Sequence, residues 1–260
     1  MNVLSARGLS KHFDGVVAAD AVTIEVAAGE RVGLIGSNGA GKTTFVNMIT
    51  GYLKPDSGAI ELEGRDVTAL GPREIERLGV ARSFQIPQLC AEMRVIDNLI
   101  VAGACGDESL SFWRPAHSDF AFSRATSLLQ RFSLESHAER RVAELPGGVR
   151  KLLDIAMALT RQPRLLLLDE PTSGVSVDEK FPMMETVMGA LGGEATTVLF
   201  VEHDMDIVAR YASRVVAFYS GRILADGSPV SVLADEEVRR HVTGGRARAP
   251  EPGEPRRDSC

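Results

Sequence analysis

The residues best suited to chemistry lie in the run GSNGAGKTT. Gly36 to Thr43 fits the spacing G-x-x-x-x-G-K-[ST], between an apolar segment that reads as a strand and FVNMIT, which reads as a helix. In that context glycines let successive backbone N–H groups turn inward around a phosphate chain, and the helix adds the positive end of its dipole. Gly36, Ser37, Asn38, Gly39, Ala40, Gly41, Lys42, Thr43 and Thr44 therefore read as a cradle for the phosphates of a nucleotide. Lys42 would neutralise the β and γ phosphates, and the Thr43 hydroxyl would ligate Mg²⁺. The plain alternative is a glycine-rich turn carrying a stray lysine. A second constellation is LLLLDE. Asp169 closes an apolar run, where open α/β sheets bind ligands, and would hold Mg²⁺ through water. Glu170 would orient the attacking water or accept its proton. The competing reading is a core strand whose aspartate caps the next helix.

These residues need a scaffold. Asp14-Gly15 is a turn signal between two short apolar segments, Ala21 to Val26 alternates as a strand does, and Arg31 to Ile35 follows as another strand. Gly51 closes the helix after the glycine loop, and AIELEG alternates with period two. Between residues 88 and 160 the pattern turns helical: Val95 to Ala104, Phe120 to Phe132 and Val149 to Thr160, with GDESLSFWRPAHSDF reading as loop. LLLL and TVLFV are short continuous apolar runs, as parallel strands covered on both faces are. VVAFYSGRILADGSP reads as a hairpin, and the tail from Gly244, rich in Gly, Pro and charge, reads as disordered. The expected division is 1–87 for a β subdomain and the first part of the core, 88–160 for an inserted helical subdomain, 161–243 for the rest of the core, and 244–260 for the tail.

Taken in order, GSNGAGKTT, SFQ, LPGGV, LLLLDEPTSG and VEHD resemble the nucleotide-binding subunits of ATP-binding-cassette (ABC) transporters, over roughly residues 1 to 243. The resemblance implies an α/β P-loop NTPase (RecA-like) core with an N-terminal antiparallel β subdomain and an inserted α-helical subdomain. It implies ATP and Mg²⁺ as cofactors, and hydrolysis of ATP coupled to transport. It also assigns Gln85 to the γ-phosphate and its metal, His203 to the γ-phosphate, and Phe13 to stacking on adenine. On their residue types alone, Gln85 could be a surface-loop residue, His203 a structural histidine and Phe13 a core side chain.

The family's LSGGQ signature closes over the nucleotide of a second, head-to-tail cassette. Here it is Leu145, Pro146, Gly147, Gly148 and Val149, with proline in place of serine and valine in place of glutamine. Val175-Ser176 replaces the usual Leu-Asp after EPTSG. Both departures imply an asymmetric pair with a second, different ATP-binding subunit; a homodimer is the simpler alternative. NMITGYLKPDSG, RSFQ, VIDNL and VEHDM resemble the importers of branched-chain amino acids and related amides, urea included. That resemblance implies separate transmembrane permease subunits, a solute-binding protein acting indirectly, and a peripheral position on the cytoplasmic side of the membrane.

The bulk numbers narrow the alternatives. A net charge of −6 and the lack of a heptad run argue against a nucleic-acid partner and against a soluble cassette ATPase acting on DNA or the ribosome. Glu170 argues against a non-hydrolysing nucleotide sensor. Cys90, Cys105 and Cys260 are odd in number and lack metal-ligand spacing, which points to a reduced, cytosolic setting. No run of eighteen apolar residues is present to span a membrane.

Overall fold

The computed structural model describes residues 1–104, 119–192 and 196–242. Most of the expected 106–120 loop, the tail, Cys105 and Cys260 lie outside the described residues.

Two sheets organise the chain. Strands β1 (Asn2–Phe13) and β2 (Val16–Ala27) form an antiparallel hairpin through Asp14-Gly15 and, with β4 (Ser57–Leu62) and β5 (Arg65–Asp66), make a sheet of order β2-β1-β4-β5. The hairpin strands are longer than the short segments their sequence suggests; their register shifts at several points, and these irregularities mask the alternation. The second sheet has order β10-β9-β3-β8-β7-β6, from β3 (Arg31–Gly36), β6 (Val80–Ser83), β7 (Leu165–Asp169), β8 (Thr197–Val201), β9 (Arg214–Tyr219) and β10 (Arg222–Gly227). Its first five strands in chain order run parallel; β10 returns antiparallel against β9, the expected hairpin.

The apolar runs divide between two cores. In β7, Leu165 and Leu167 face one core while Leu166 and Leu168 face the other; in β8, Leu199 and Val201 oppose Val198 and Phe200. Every position is buried, so LLLL and TVLFV carry no alternation. One core fills the space between the two sheets and takes in Phe45, Val46, Met48 and Ile49 of helix α1 (Lys42–Ile49). The short helix α2 (Pro72–Arg77) begins with proline in its first turn, and Glu74 accepts from the Gly71 amide.

Beneath the other face lie α3 (Val95–Ala104), α4 (Asp119–Arg131) and α5 (Gly147–Ala158), all between β6 and β7 in sequence. The observed bounds of α3 match the expected ones; α4 starts and ends a residue earlier, and α5 starts two residues earlier, with Pro146 as its N-cap. Proline there sacrifices no helical hydrogen bond. Helix α6 (Val177–Leu191) contains Pro182, and α7 (Met205–Tyr211), α8 (Pro229–Ala234) and α9 (Glu236–His241) follow. No described helix is long and apolar enough to cross a membrane.

Candidate functional site

Because β3, β6, β7 and β8 run parallel, their carboxyl ends lie on one edge, where such sheets bind ligands. The glycine loop leaves β3, Gln85 follows β6, Glu170 follows β7, and Glu202-His203 follow β8. Four loops far apart in sequence thus meet at one place. Asn38 to Thr44, Gln85, Glu170 and His203 line a single cavity of about 530 Å³.

The loop's shape depends on its two motif glycines. A Cβ on Gly36 would stand 2.7 Å from the Phe218 carbonyl oxygen, and one on Gly41, at φ +105°, would stand 2.5 Å from that of Ala18. Only glycine lets the loop run this close to its neighbours. Helix α1 has no side-chain cap, and its first backbone bond runs from the Phe45 amide to the Gly41 oxygen at 2.9 Å. The amides of Lys42, Thr43 and Thr44 therefore precede the helical ladder and are available to an anion. Lys42 is buried, and its Nζ donates to the carbonyls of Gly36 at 2.7 Å and Ser37 at 3.0 Å. Burial pushes this ammonium below its ordinary range, while Glu170 and Asp169 pull it back up. A cation dressed only by carbonyls and facing a cavity of loop amides fits a phosphate chain.

Glu170 sits at the centre. Its Oε2 accepts from Gln85 Nε2 at 2.8 Å, and its Oε1 lies 2.9 Å from His203 Nε2. Its backbone φ is +47°, a left-handed conformation that costs about 1–3 kcal/mol for a non-glycine residue, and its amide donates to the Val201 carbonyl. The strained turn aims the carboxylate off the end of β7 into the cavity. Glu202, the buried neighbour of His203, holds the two loops together. Its Oε1 accepts from the Thr172 amide and hydroxyl at 2.9 and 2.7 Å, and its Oε2 from the His203 amide at 3.1 Å.

Asp169, the last residue of β7, is 7% exposed and is not among the residues that line the cavity; its Oδ2 accepts from Arg82 Nη2 at 2.6 Å. Thr43, Gln85 and Asp169 offer hard oxygen donors, and no group of three or more His, Cys, Asp or Glu side chains among the described residues could hold a metal. Such a sparse oxygen set fits Mg²⁺, which keeps waters and takes the rest of its ligands from phosphates.

The other sequence-derived candidates lie apart from this cavity. Phe13 pairs with Val16 at the hairpin tip, 45% exposed, with Lys11 Nζ 5.8 Å from its ring. The same hairpin touches the loop through Ala18 and Gly41. Leu145 is buried, whereas Pro146 and Gly147 are exposed at the start of α5. Pro146 provides no side-chain cap.

Sequence reasoning missed the charged residues behind the site. Lys151, buried in α5, donates to the carbonyls of Phe84 at 2.7 Å, Gln85 at 3.2 Å and Asp169 at 3.2 Å; burial lowers its pKa. Asp154, one turn on, accepts from Ser83 Oγ at 2.6 Å and the Gln88 amide at 3.0 Å; burial raises its pKa. Both sit within apolar helical periodicity, where a charge invites reading as an exposed face. The signal was available in KLLD: both fall on the stripe that faces the core.

A glycine loop at a parallel-sheet edge, a buried lysine inside it and a carboxylate held beside a histidine define a P-loop ATPase. The chain belongs to the ABC transporter family, which matches residues 19–173. It is 36% identical over 250 residues to the high-affinity branched-chain amino acid transport ATP-binding protein LivG of Salmonella typhimurium, covering 93% of this chain and 98% of that one. To BraF of Pseudomonas aeruginosa, named for the same transport, it is 32% identical with the same coverage. The ADP conformation of MJ1267, an ATP-binding cassette of an ABC transporter, superposes with a TM-score of 0.83 at 33% identity, over 92% of this chain and 98% of that one.

Proposed function

We propose that this chain powers an importer of branched-chain amino acids or related amides, hydrolysing ATP with Mg²⁺ as one half of a head-to-tail cassette pair. The convergence of Lys42, Gln85, Glu170 and His203 on one cavity carries the ATPase reading. Identity to LivG and BraF over nearly the whole chain supports the substrate class. Lys42 and the amides of residues 42–44 bind and orient the phosphates. Glu170, held by Gln85 and His203, orients the attacking water and takes its proton. Phe13 stacks on adenine. Thr43 and Gln85, with Asp169 through a water, would hold Mg²⁺, which would supply neutralisation of the phosphate charge. Hydrolysis is then chiefly positioning and charge neutralisation within a pre-arranged site.

The partners are transmembrane permease subunits, a solute-binding protein outside the membrane, and a second, different cassette. The altered signature supports the last. With Pro146 in place of serine, the first turn of α5 has backbone amides and no hydroxyl to offer a partner's nucleotide. Hydrogen bonds to a charged group contribute about 1.5–3 kcal/mol each, so losing one or two weakens the clamp on the partner's ATP by tenfold or more. This chain's own site is complete and is closed by a partner with a fuller signature. Lys151 joins α5 directly to Gln85 and Asp169, and Asp154 joins it to Ser83 and Gln88 on either side of Gln85, a path by which closure at the signature reaches the chain's own site.

Vesicles holding the chain with its permeases and second cassette test the reading. ATP-dependent accumulation of labelled leucine or urea, lost in Lys42→Ala, is expected; no accumulation of either solute contradicts the importer assignment. In the same assembly Pro146→Ser with Val149→Gln should increase nucleotide occlusion, and unchanged occlusion rules out the weak-signature account.

A further inference from the structure

We propose that Arg82 is a positioning residue for the metal-site carboxylate, fixing which oxygen of Asp169 serves Mg²⁺. The proposal rests on the reading of residues 36–44 as the ATP site and goes beyond it to a residue that no part of that reading uses. Arg82 is the third residue of β6, adjacent to β7 in the parallel sheet. Its Nη2 donates to Asp169 Oδ2 at 2.6 Å, and its Nη1 donates to Asn47 Oδ1 at 2.7 Å. Asn47 belongs to α1, the helix that opens at the phosphate loop. One planar guanidinium therefore ties the strand that carries Asp169 to the helix that carries Lys42 and Thr43.

The ion pair is largely shielded, with side-chain exposures of 9% and 10%. Rings confine the guanidinium further: Phe84 lies 4.9 Å and Tyr52 6.0 Å from Cζ, and the two rings meet edge-on at 5.9 Å. Among the described residues Arg82 Nε is buried without a hydrogen-bond partner. The two terminal nitrogens are both engaged, one on Asp169 and one on Asn47, so the fork is fixed at both ends.

With Oδ2 held by Arg82, Oδ1 is the Asp169 oxygen left without a hydrogen bond among the described residues, and it is the one a metal-bound water would use. Mg²⁺ demands near-ideal octahedral geometry, so an acceptor fixed in direction is worth more to it than a mobile one. Repulsion between the guanidinium and the cation opposes this benefit. The two effects predict opposite signs when Arg82 is removed, which makes the balance measurable.

The test measures affinity for a fluorescent ATP analogue in a Glu170→Gln background, once with EDTA and once with Mg²⁺. Wild-type Arg82 should bind in both conditions and more tightly with Mg²⁺; no binding in either condition would sink the ATP-site reading itself. Arg82→Met should leave the EDTA affinity within about twofold and cut the Mg²⁺ enhancement by about tenfold, the equivalent of one charge-assisted hydrogen bond. Arg82→Lys, a point charge without the fork, should recover part of that loss. Asn47→Ala keeps the charge and frees one arm; it should show a smaller loss of the same sign, and it carries the test if Arg82→Met does not fold. An unchanged or increased Mg²⁺ enhancement, or equal losses with and without Mg²⁺, overturns the proposal.

Discussion

Replacing Glu202 with glutamine preserves the side chain's shape and removes its charge, which isolates what the carboxylate contributes. Glu202 is 3% exposed and accepts three hydrogen bonds, two from Thr172 and one from the His203 amide. A glutamine offers one acceptor oxygen. Turned toward Thr172, it keeps those two bonds in weaker, neutral form and sets its NH₂ against the His203 N–H, donor facing donor. The bond lost outright amounts to about 1.5–3 kcal/mol, and each weakened bond to a few tenths or more. The variant recovers part of this, because a buried carboxylate carries a desolvation penalty that glutamine lacks. The balance is a destabilisation of about 2 kcal/mol, which in a chain of this size lowers Tm by about 4–8 °C. Function should suffer too. His203 Nε2 lies 2.9 Å from the Glu170 carboxylate, and a loosened His203 backbone carries that ring with it. Small misplacements near the reacting groups cost up to about a hundredfold, so turnover should fall about tenfold or more. Thermal unfolding by circular dichroism and steady-state ATP hydrolysis read the two effects. A Tm within about 1 °C of wild type would refute the hydrogen-bond argument. A lowered Tm with unchanged turnover would refute the claim that Glu202 positions the site.

The remaining predictions concern adenine and a buried cation. Phe13→Ala should weaken ATP binding about threefold to tenfold, the scale of one aromatic stacking contact, without changing the affinity for tripolyphosphate. Calorimetry with the two ligands decides it, and parallel losses would place Phe13 outside an adenine contact. Burial holds the Lys151 pKa below its ordinary 10.5, so between the folded value and 10.5 the unfolded chain binds more protons and stability rises with pH. Urea denaturation toward pH 10.5 should therefore show wild type gaining stability relative to Lys151→Met; a flat or falling difference would contradict a desolvated ammonium.

The legible parts of the sequence were those where one physical demand dominates. The phosphate loop must be glycine-rich, and strands covered on both faces must be apolar throughout, so GSNGAGKTT, LLLL and TVLFV could be read directly. Helix α3 could be read as well, because its apolar stripe is uninterrupted. The short elements β5, α2, α8 and α9 were not, since two to six residues are too few to establish a period. Helix α6 was obscured by Pro182. Within the site, Lys42, Gln85, Glu170 and His203 were identified by motif, and the structure brings them together. Arg82, Lys151, Asp154 and Glu202 were not identified, because each acts through neighbours distant in sequence: Asp169, the 84–88 segment and Thr172. A buried charge is intelligible only with its partner, and pairing across strands is set by sheet order, which no local pattern in this chain encodes.

The central claim is that Glu170, poised between Gln85 and His203, turns a phosphate-binding loop into a hydrolase. Its most direct test is single-turnover ATP cleavage by the Glu170→Gln protein with Mg²⁺ and saturating nucleotide. The account predicts bound ATP that remains uncleaved, with the rate down at least about a hundredfold, the contribution of one general base. Cleavage at a rate near wild type would show that another group activates the water and would remove Glu170 from the chemistry.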